Sequence, residues 1–193
     1  MGSFSIWHWL ILAIFALGIF AAYLIARRRP AASGETVGPS GVGGWLLLLV
    51  AGLMILGPLL GAARLNGDII STESQYPNLL TLDKWKTFKS ATWLTYACVA
   101  AISFYGGWGL ARGRDFSVVS RAKVVLWIVG PGAALIMGLL LPLLIFGSLQ
   151  PDPQFIGGFI ASVVVAAIWT AYLSRSKRVR ATYGLPQVPK AEA

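Results

Sequence analysis

Long uncharged apolar runs alternate with short polar and basic segments along this sequence. Residues 6–26, 45–63, 91–111, 124–147 and 155–173 contain no Asp, Glu, Lys or Arg. Each is about long enough to cross a hydrocarbon core of roughly 30 Å as a helix rising 1.5 Å per residue. The acidic residues Glu35, Asp68, Glu73, Asp83, Asp115, Asp152 and Glu192 all fall outside these runs. Backbone amides in lipid must be paired within the segment, so such runs cross only as helices. The pattern therefore predicts an all-α fold: a polytopic helical membrane protein with an N-terminal anchor helix followed by a four-helix transmembrane bundle. The expected divisions are an anchor at 1–29, a Gly/Pro/Ser-rich linker at 30–43, a membrane domain at 44–184 with an outer loop at 64–90, and a polar tail at 185–193.

Composition agrees with this reading. The chain is 56% hydrophobic and 12% charged, with a mean hydropathy of +0.71, whereas about 25% charged residues is usual in soluble domains. The net charge of +9 and pI near 10.1 would suggest nucleic acid in a soluble protein. Here the basic residues flank spans, and membrane insertion explains them without a nucleic-acid partner. With the N-terminus outside, the cytoplasmic segments hold Arg27, Arg28, Arg29, Arg112, Arg114, Arg121, Lys123, Arg175, Lys177, Arg178, Arg180 and Lys190. The outer segments hold only Arg64, Lys84, Lys86 and Lys89. That asymmetry obeys the positive-inside rule and directs the C-terminus to the cytoplasm. The basic residues follow the first apolar run rather than precede it, which favours a retained anchor over a cleaved signal peptide.

Two local patterns resemble known families. Residues 1–11, MGSFSIWHWLI, resemble the start of the small pore-forming subunit of twin-arginine translocases. The hinge and basic amphipathic helix that follow in that family are replaced here by RRRPAASGETVGPSGVGG. The second pattern covers more of the chain. Gly43, Gly44, Trp45 and Leu46 at the start of the membrane domain, and Arg175, Ser176, Arg178, Val179, Arg180, Ala181, Thr182 and Tyr183 at its end, resemble the opening and closing motifs of the bacterial domain of unknown function 2569 (DUF2569). Arg180 and Tyr183 stand where that family has Lys and Phe. The resemblance spans about 41–185 and implies a small multi-pass protein of the bacterial inner membrane with four helices; it implies no activity.

The chemistry available is sparse. One His and one Cys cannot build an ordinary three- or four-ligand metal site of nitrogen and sulfur within one chain, and no cofactor is expected. The five runs carry no ionisable residue of the kind that marks proton relays and coupled transport. An enzyme is not expected either, since no activated nucleophile or phosphate-binding loop is visible. What the spans do contain is packing and breaking signals. Gly57 with Gly61, and Gly157 with Ala161, are small-xxx-small pairs that permit close helix approach. Pro58, Pro131 and Pro142 interrupt helical hydrogen bonding and predict kinks or a cavity. Residues 78–90 interleave apolar and Lys side chains and predict a short interfacial helix in the outer loop. Residues 169–183 read as one helix passing out of the bilayer, with Arg175 and Arg178 on a shared face among anionic lipid head groups at the cytoplasmic surface.

Two functional classes follow. The first is a non-catalytic accessory or assembly protein that packs against a membrane-protein partner. The alternative is a small carrier or channel that binds a lipid or apolar solute where Pro and Gly break the helices. A translocase-related role, prompted by residues 1–11, is the third. The sequence leaves the oligomeric state open.

Overall fold

The structure, a computed structural model, describes residues 41–113, 115–147 and 153–184. The anchor at 1–29, most of the linker and the tail at 185–193 lie outside the described residues. Among the described residues there is no strand, and four helices are long and apolar enough to cross a membrane. These are α1 (Trp45–Gln75), α2 (Asp83–Arg112), α3 (Phe116–Phe146) and α4 (Pro153–Arg175). A short fifth helix, α5 (Lys177–Tyr183), follows. Helix α2 packs between α1 and α3, and α4 packs on α3.

Two boundaries differ from the sequence reading. Residues 64–90 are not a loop around a separate interfacial helix: α1 runs on to Gln75 and α2 already begins at Asp83, leaving a 3-10 turn at Pro77–Thr81. The polar extension of α1 is held by contacts that hydropathy does not register. Arg64 pairs with Asp68 one turn on, at 3.8 Å. Glu73 Oε1 accepts from the Trp85 indole at 3.0 Å and from Lys89 Nζ at 2.7 Å, tying α1 to α2. Ile69 and Trp85 are buried there, and Phe88, stacked on Trp85, reaches α3 through Phe146 at 5.5 Å. Tyr76, extended at φ −129° and ψ 72°, precedes Pro77 and ends the helix, because a proline disfavours the α conformation in the residue before it.

The second difference lies at the other end. Residues 169–183 are not one helix. Ser176 adopts ψ 124° between α4 and α5, with its Oγ facing the Val179 amide at 3.5 Å. Arg175 and Arg178 therefore do not share a continuous helical face. The break folds α5 back onto the bundle, burying Val179 and Tyr183 completely or nearly so.

The buried core sits at this end, where Trp45 opens α1. Leu46, Leu49, Val50 and Leu53 meet Leu110 and Ala111 of α2, Val119, Ala122 and Val125 of α3, Leu173 of α4, and Val179 and Tyr183 of α5. The two motifs noted in the sequence clasp each other across it. Thr182 Oγ1 receives the Gly41 amide at 3.1 Å. The Arg178 guanidinium lies over Gly43 and Gly44, with Nη1 only 2.6 Å from where a Gly44 Cβ would stand. Gly44 also has φ +56°, so both its backbone and its neighbour exclude a side chain. Tyr183 Oη donates to the Leu110 carbonyl at 2.6 Å. That carbonyl is among the last four of α2, which lack helical donors.

The large exposed side chains, such as Leu94 and Leu144 at 69% and 70%, face outward, as lipid-facing residues do. Tyr183→Phe, which leaves the buried Leu110 carbonyl without its donor, is expected to destabilise the protein by about 1–2 kcal/mol. Gly44→Ala, forced into a backbone region reserved for glycine, is expected to cost about 1–3 kcal/mol. Thermal unfolding in detergent measures both, and an unchanged midpoint for either variant would contradict the clasp.

Candidate functional site

The site grows from a proline. Pro58 has no amide hydrogen, and its ring would clash with the carbonyl four residues earlier in an α-helix. Helix α1 responds by widening to a π-helical turn over Gly52–Leu56, where the Gly57 amide bonds to the Gly52 carbonyl. In that register the Leu53 carbonyl would look to residue 58 for its donor, and residue 58 has none. Ser103 of α2 supplies it: its hydroxyl, fully buried, donates to Leu53 O at 2.7 Å. The Tyr96 hydroxyl likewise donates to the Pro58 carbonyl. The same pairing of proline and π turn recurs in α3, at Ile128–Gly132 around Pro131 and at Ile136–Leu140 just before Pro142. Single π turns of this kind are frequent at functional sites.

Beyond this level the helices no longer fill the space between them. A cavity of about 840 Å³ lies between α1, α2, α3 and α4. Its deep part is small or apolar, with Gly57, Gly61, Ala100, Ala134, Met137 and Phe159 on the wall, and Ser103 at its inner end. Its outer part is polar, with Arg64, Asp68, Ser71, Thr72 and Gln75 of α1 and Gln154 of α4. Arg64 and Asp68 are the charged residues on the wall. An elongated space with an apolar floor and a polar mouth suits an amphipathic molecule, since a few polar groups on a mostly apolar lining set the orientation of a ligand.

The residues singled out in the sequence separate into three groups. Gly57 and Gly61 line the cavity, and Gly61 lies against Tyr96, whose Oη is 2.8 Å from the position of a Gly61 Cβ. Gly43, Gly44, Leu46, Arg178, Val179, Thr182 and Tyr183 belong to the clasp, where Ala181 is half-buried beside them and Trp45 stands exposed at the rim. Arg175 is exposed, Ser176 caps α5, and Arg180 donates to the Ser174 carbonyl at 3.2 Å. Gly157 and Ala161 do not pack within the bundle: both are exposed, and nothing lies within 4 Å of a Gly157 Cβ.

The close approaches within the bundle fall instead at Gly107, against Met54 of α1, and at Gly138, whose Cβ would stand 2.0 Å from the Phe155 ring. Neither was singled out by spacing. Ser103 and Tyr96 also went unnoticed; the signal available was a hydroxyl within a span, needing the register of α1 against α2 to give it a partner.

A family model described as a protein of unknown function (DUF2569) matches residues 39–184. No curated protein and no solved structure matches the chain.

Gly61→Ala brings a methyl group against the Tyr96 ring and is expected to displace its hydroxyl from the Pro58 carbonyl, lowering stability by about 1–2 kcal/mol. In a Tyr96→Phe background, where that bond is already gone, the same substitution is expected to cost less. Equal losses in the two backgrounds, measured as a double-mutant cycle on thermal stability, would show that the two residues are not coupled.

Proposed function

We propose that the chain, which belongs to the DUF2569 family and is a helical membrane protein, holds one amphipathic molecule of the bilayer in its cavity without transforming it. The observation that carries this reading is the cavity itself: about 840 Å³, within the range of small-molecule sites, polar at one end and apolar at the other. The walls are the segments where Pro and Gly break the helices, which is where the sequence analysis set the lipid-binding alternative. Holding a ligand fits the lining, which among the described residues brings a hydroxyl, amide and ion-pair rim to it.

In this reading the chain sits in the cytoplasmic membrane of a bacterium with the Trp45 end inside. The described basic residues support that orientation: Arg112, Arg121, Lys123, Arg175, Lys177, Arg178 and Arg180 cluster at the clasp end, against Arg64, Lys84, Lys86 and Lys89 at the cavity end. Arg175 and Lys177, both exposed, remain free to meet anionic head groups, whereas Arg178 is turned onto the Gly43–Gly44 backbone.

The accessory-protein reading draws on a different observation. Gly157 and Ala161 are exposed on α4, the helix least buried in the bundle, and small outward residues suit a close helix partner. A translocase-related role rests on residues 1–11, outside the described residues.

Gentle affinity purification from native membranes, with mass spectrometry of lipid and protein in one sample, separates these readings. The expected result is an enriched lipid at about one per chain, lost in Ala100→Trp, which fills the cavity, while helical content and elution volume stay unchanged. Wild-type protein carrying no more lipid than Ala100→Trp would sink the binding reading. A stoichiometric membrane partner in place of lipid would establish the accessory one.

A further inference from the structure

The depth of the cavity identifies the part of the bilayer it serves. Trp45 stands exposed at one end of α1, where aromatic belts mark the membrane interface. Counting 1.5 Å per residue from there, the Leu53 carbonyl that Ser103 caps lies about 12 Å along the axis, Gly57 about 18 Å and Arg64 about 28 Å. A hydrocarbon core of about 30 Å therefore ends near Arg64, and the cavity floor lies close to the middle. Within the hydrocarbon the cavity is one leaflet deep, and its mouth runs on past Arg64 to Gln75.

Its sides are unequal. At the clasp end α1 and α4 are pinned together by Trp45 and Trp169, whose rings meet edge-on with centroids 6.5 Å apart, and by the shared core of Leu46 and Leu173. Above that level α1 packs on α2 and α4 packs on α3, and the two helices stand on opposite lips of the cavity. Gly158 of α4 lines the cavity and yet is exposed, with nothing within 4 Å of a Cβ built on it. Gly57 on the α1 side also lines the cavity and is exposed. Among the described residues, α1 and α4 show no extensive packing on each other above the clasp, which leaves a gap to the side between these two glycines.

The α1 lip also carries a graded stripe. Gly57, Gly61, Arg64, Asp68, Thr72 and Gln75 follow one another at three- and four-residue steps, all on the cavity wall, which places them on a single helix face. The stripe is small at acyl-chain depth, charged at head-group depth at Arg64 and Asp68, and polar beyond it at Thr72 and Gln75. Its two charges are opposite: Arg64 Nε and Asp68 Oδ2 lie 3.8 Å apart, with side chains 69% and 67% exposed. A guanidinium is suited to a phosphate, and a neighbouring carboxylate to an ammonium.

We propose that the cavity is a lateral portal between α1 and α4 that takes a zwitterionic phospholipid with an ammonium head group from the leaflet on the Arg64 side, the phosphate against Arg64 and the ammonium against Asp68. This rests on the lipid-binding reading above and adds to it the route, the leaflet depth and the head-group class.

The test uses the full chain in nanodiscs containing phosphatidylethanolamine or phosphatidylglycerol with a diazirine at the acyl terminus, and adducts mapped by mass spectrometry. Wild type is expected to give adducts on cavity residues of α2 and α3 with the ethanolamine lipid. Gly158→Trp, which plugs the gap from an open position, is expected to abolish them. Ile160→Trp, half a turn away on an exposed face, is expected to leave them intact.

Replacing the charges together, Arg64→Gln with Asp68→Asn, is expected to lower the ethanolamine adducts about tenfold relative to the glycerol lipid. Adducts that persist in Gly158→Trp overturn the lateral route alone, and equal labelling by both lipids in wild type overturns the head-group assignment. Cavity residues labelled by neither lipid overturn the binding reading and this proposal together. Gly158→Leu, a smaller plug, serves with the same expectations should the Trp variant fail to assemble.

Discussion

A backbone carbonyl inside hydrocarbon must find a donor, and the proline in the first described span removes one. Each unsatisfied group in lipid costs several kcal/mol, so the fold around Pro58 is organised by that deficit. The π turn at Gly52–Leu56 absorbs the steric part of the problem, Ser103 of α2 answers for the carbonyl of Leu53, and Tyr96 adds a side-chain donor to the Pro58 carbonyl. Those bonds set the register of α1 against α2. They also fix the level at which the bundle changes character: below it lies the buried core, above it the cavity.

The two halves support each other. A bundle that is hollow at one end needs its helices held at the other, and the clasp does this with residues from both ends of the described chain. Arg178 resting on Gly43 and Gly44, Thr182 on Gly41, and Tyr183 on the end of α2 join the start of α1 to the segment after α4. Van der Waals packing rather than hydrophobic exclusion holds helices together in lipid, so close approaches such as Gly107 against Met54 contribute where a soluble protein would rely on burial. The outer ends of α1 and α2 are braced separately by Glu73 between Trp85 and Lys89. The cavity mouth therefore sits between two braced regions, and α4, attached mainly to α3, forms its loosest side.

Much of this was legible in the sequence, and the remainder was hidden for identifiable reasons. Charge-free runs located the four described spans because hydrocarbon excludes charge whatever the tertiary structure. The motif residues at both ends meet in the clasp, but Arg178 reads as a lipid-facing cation because a one-dimensional pattern does not show Ser176 breaking the helix and returning α5 to Gly44. The ends of α1 and α2 were missed by many residues because the polar turns from Arg64 to Gln75 are held by contacts to Trp85 and Lys89, which hydropathy does not count. Among the glycines that spacing selects, Gly61 lies against Tyr96 and Gly157 faces open space. A small-xxx-small pair says that a helix face allows close approach; which faces are approached depends on the register of other helices. The prolines predict kinks or a cavity; π turns accompany all three and Pro58 lines the cavity, while the hydroxyl partners Ser103 and Tyr96 needed three dimensions.

The distribution of charge narrows what such a cavity does. A site that moves a solute against a gradient needs a group that exchanges a proton or ion within the membrane, and such groups are ordinarily ionisable residues inside the spans. Here the charges on the cavity wall, Arg64 and Asp68, stand at the mouth, and the deep lining is Gly, Ala, Val, Met, aromatic and hydroxyl. The part of the cavity within hydrocarbon is one leaflet deep, and among the described residues the packed core lies at its far end. Under the lipid-binding proposal, such a cavity would receive an amphipath from the side, hold its polar end at the membrane surface and release it again.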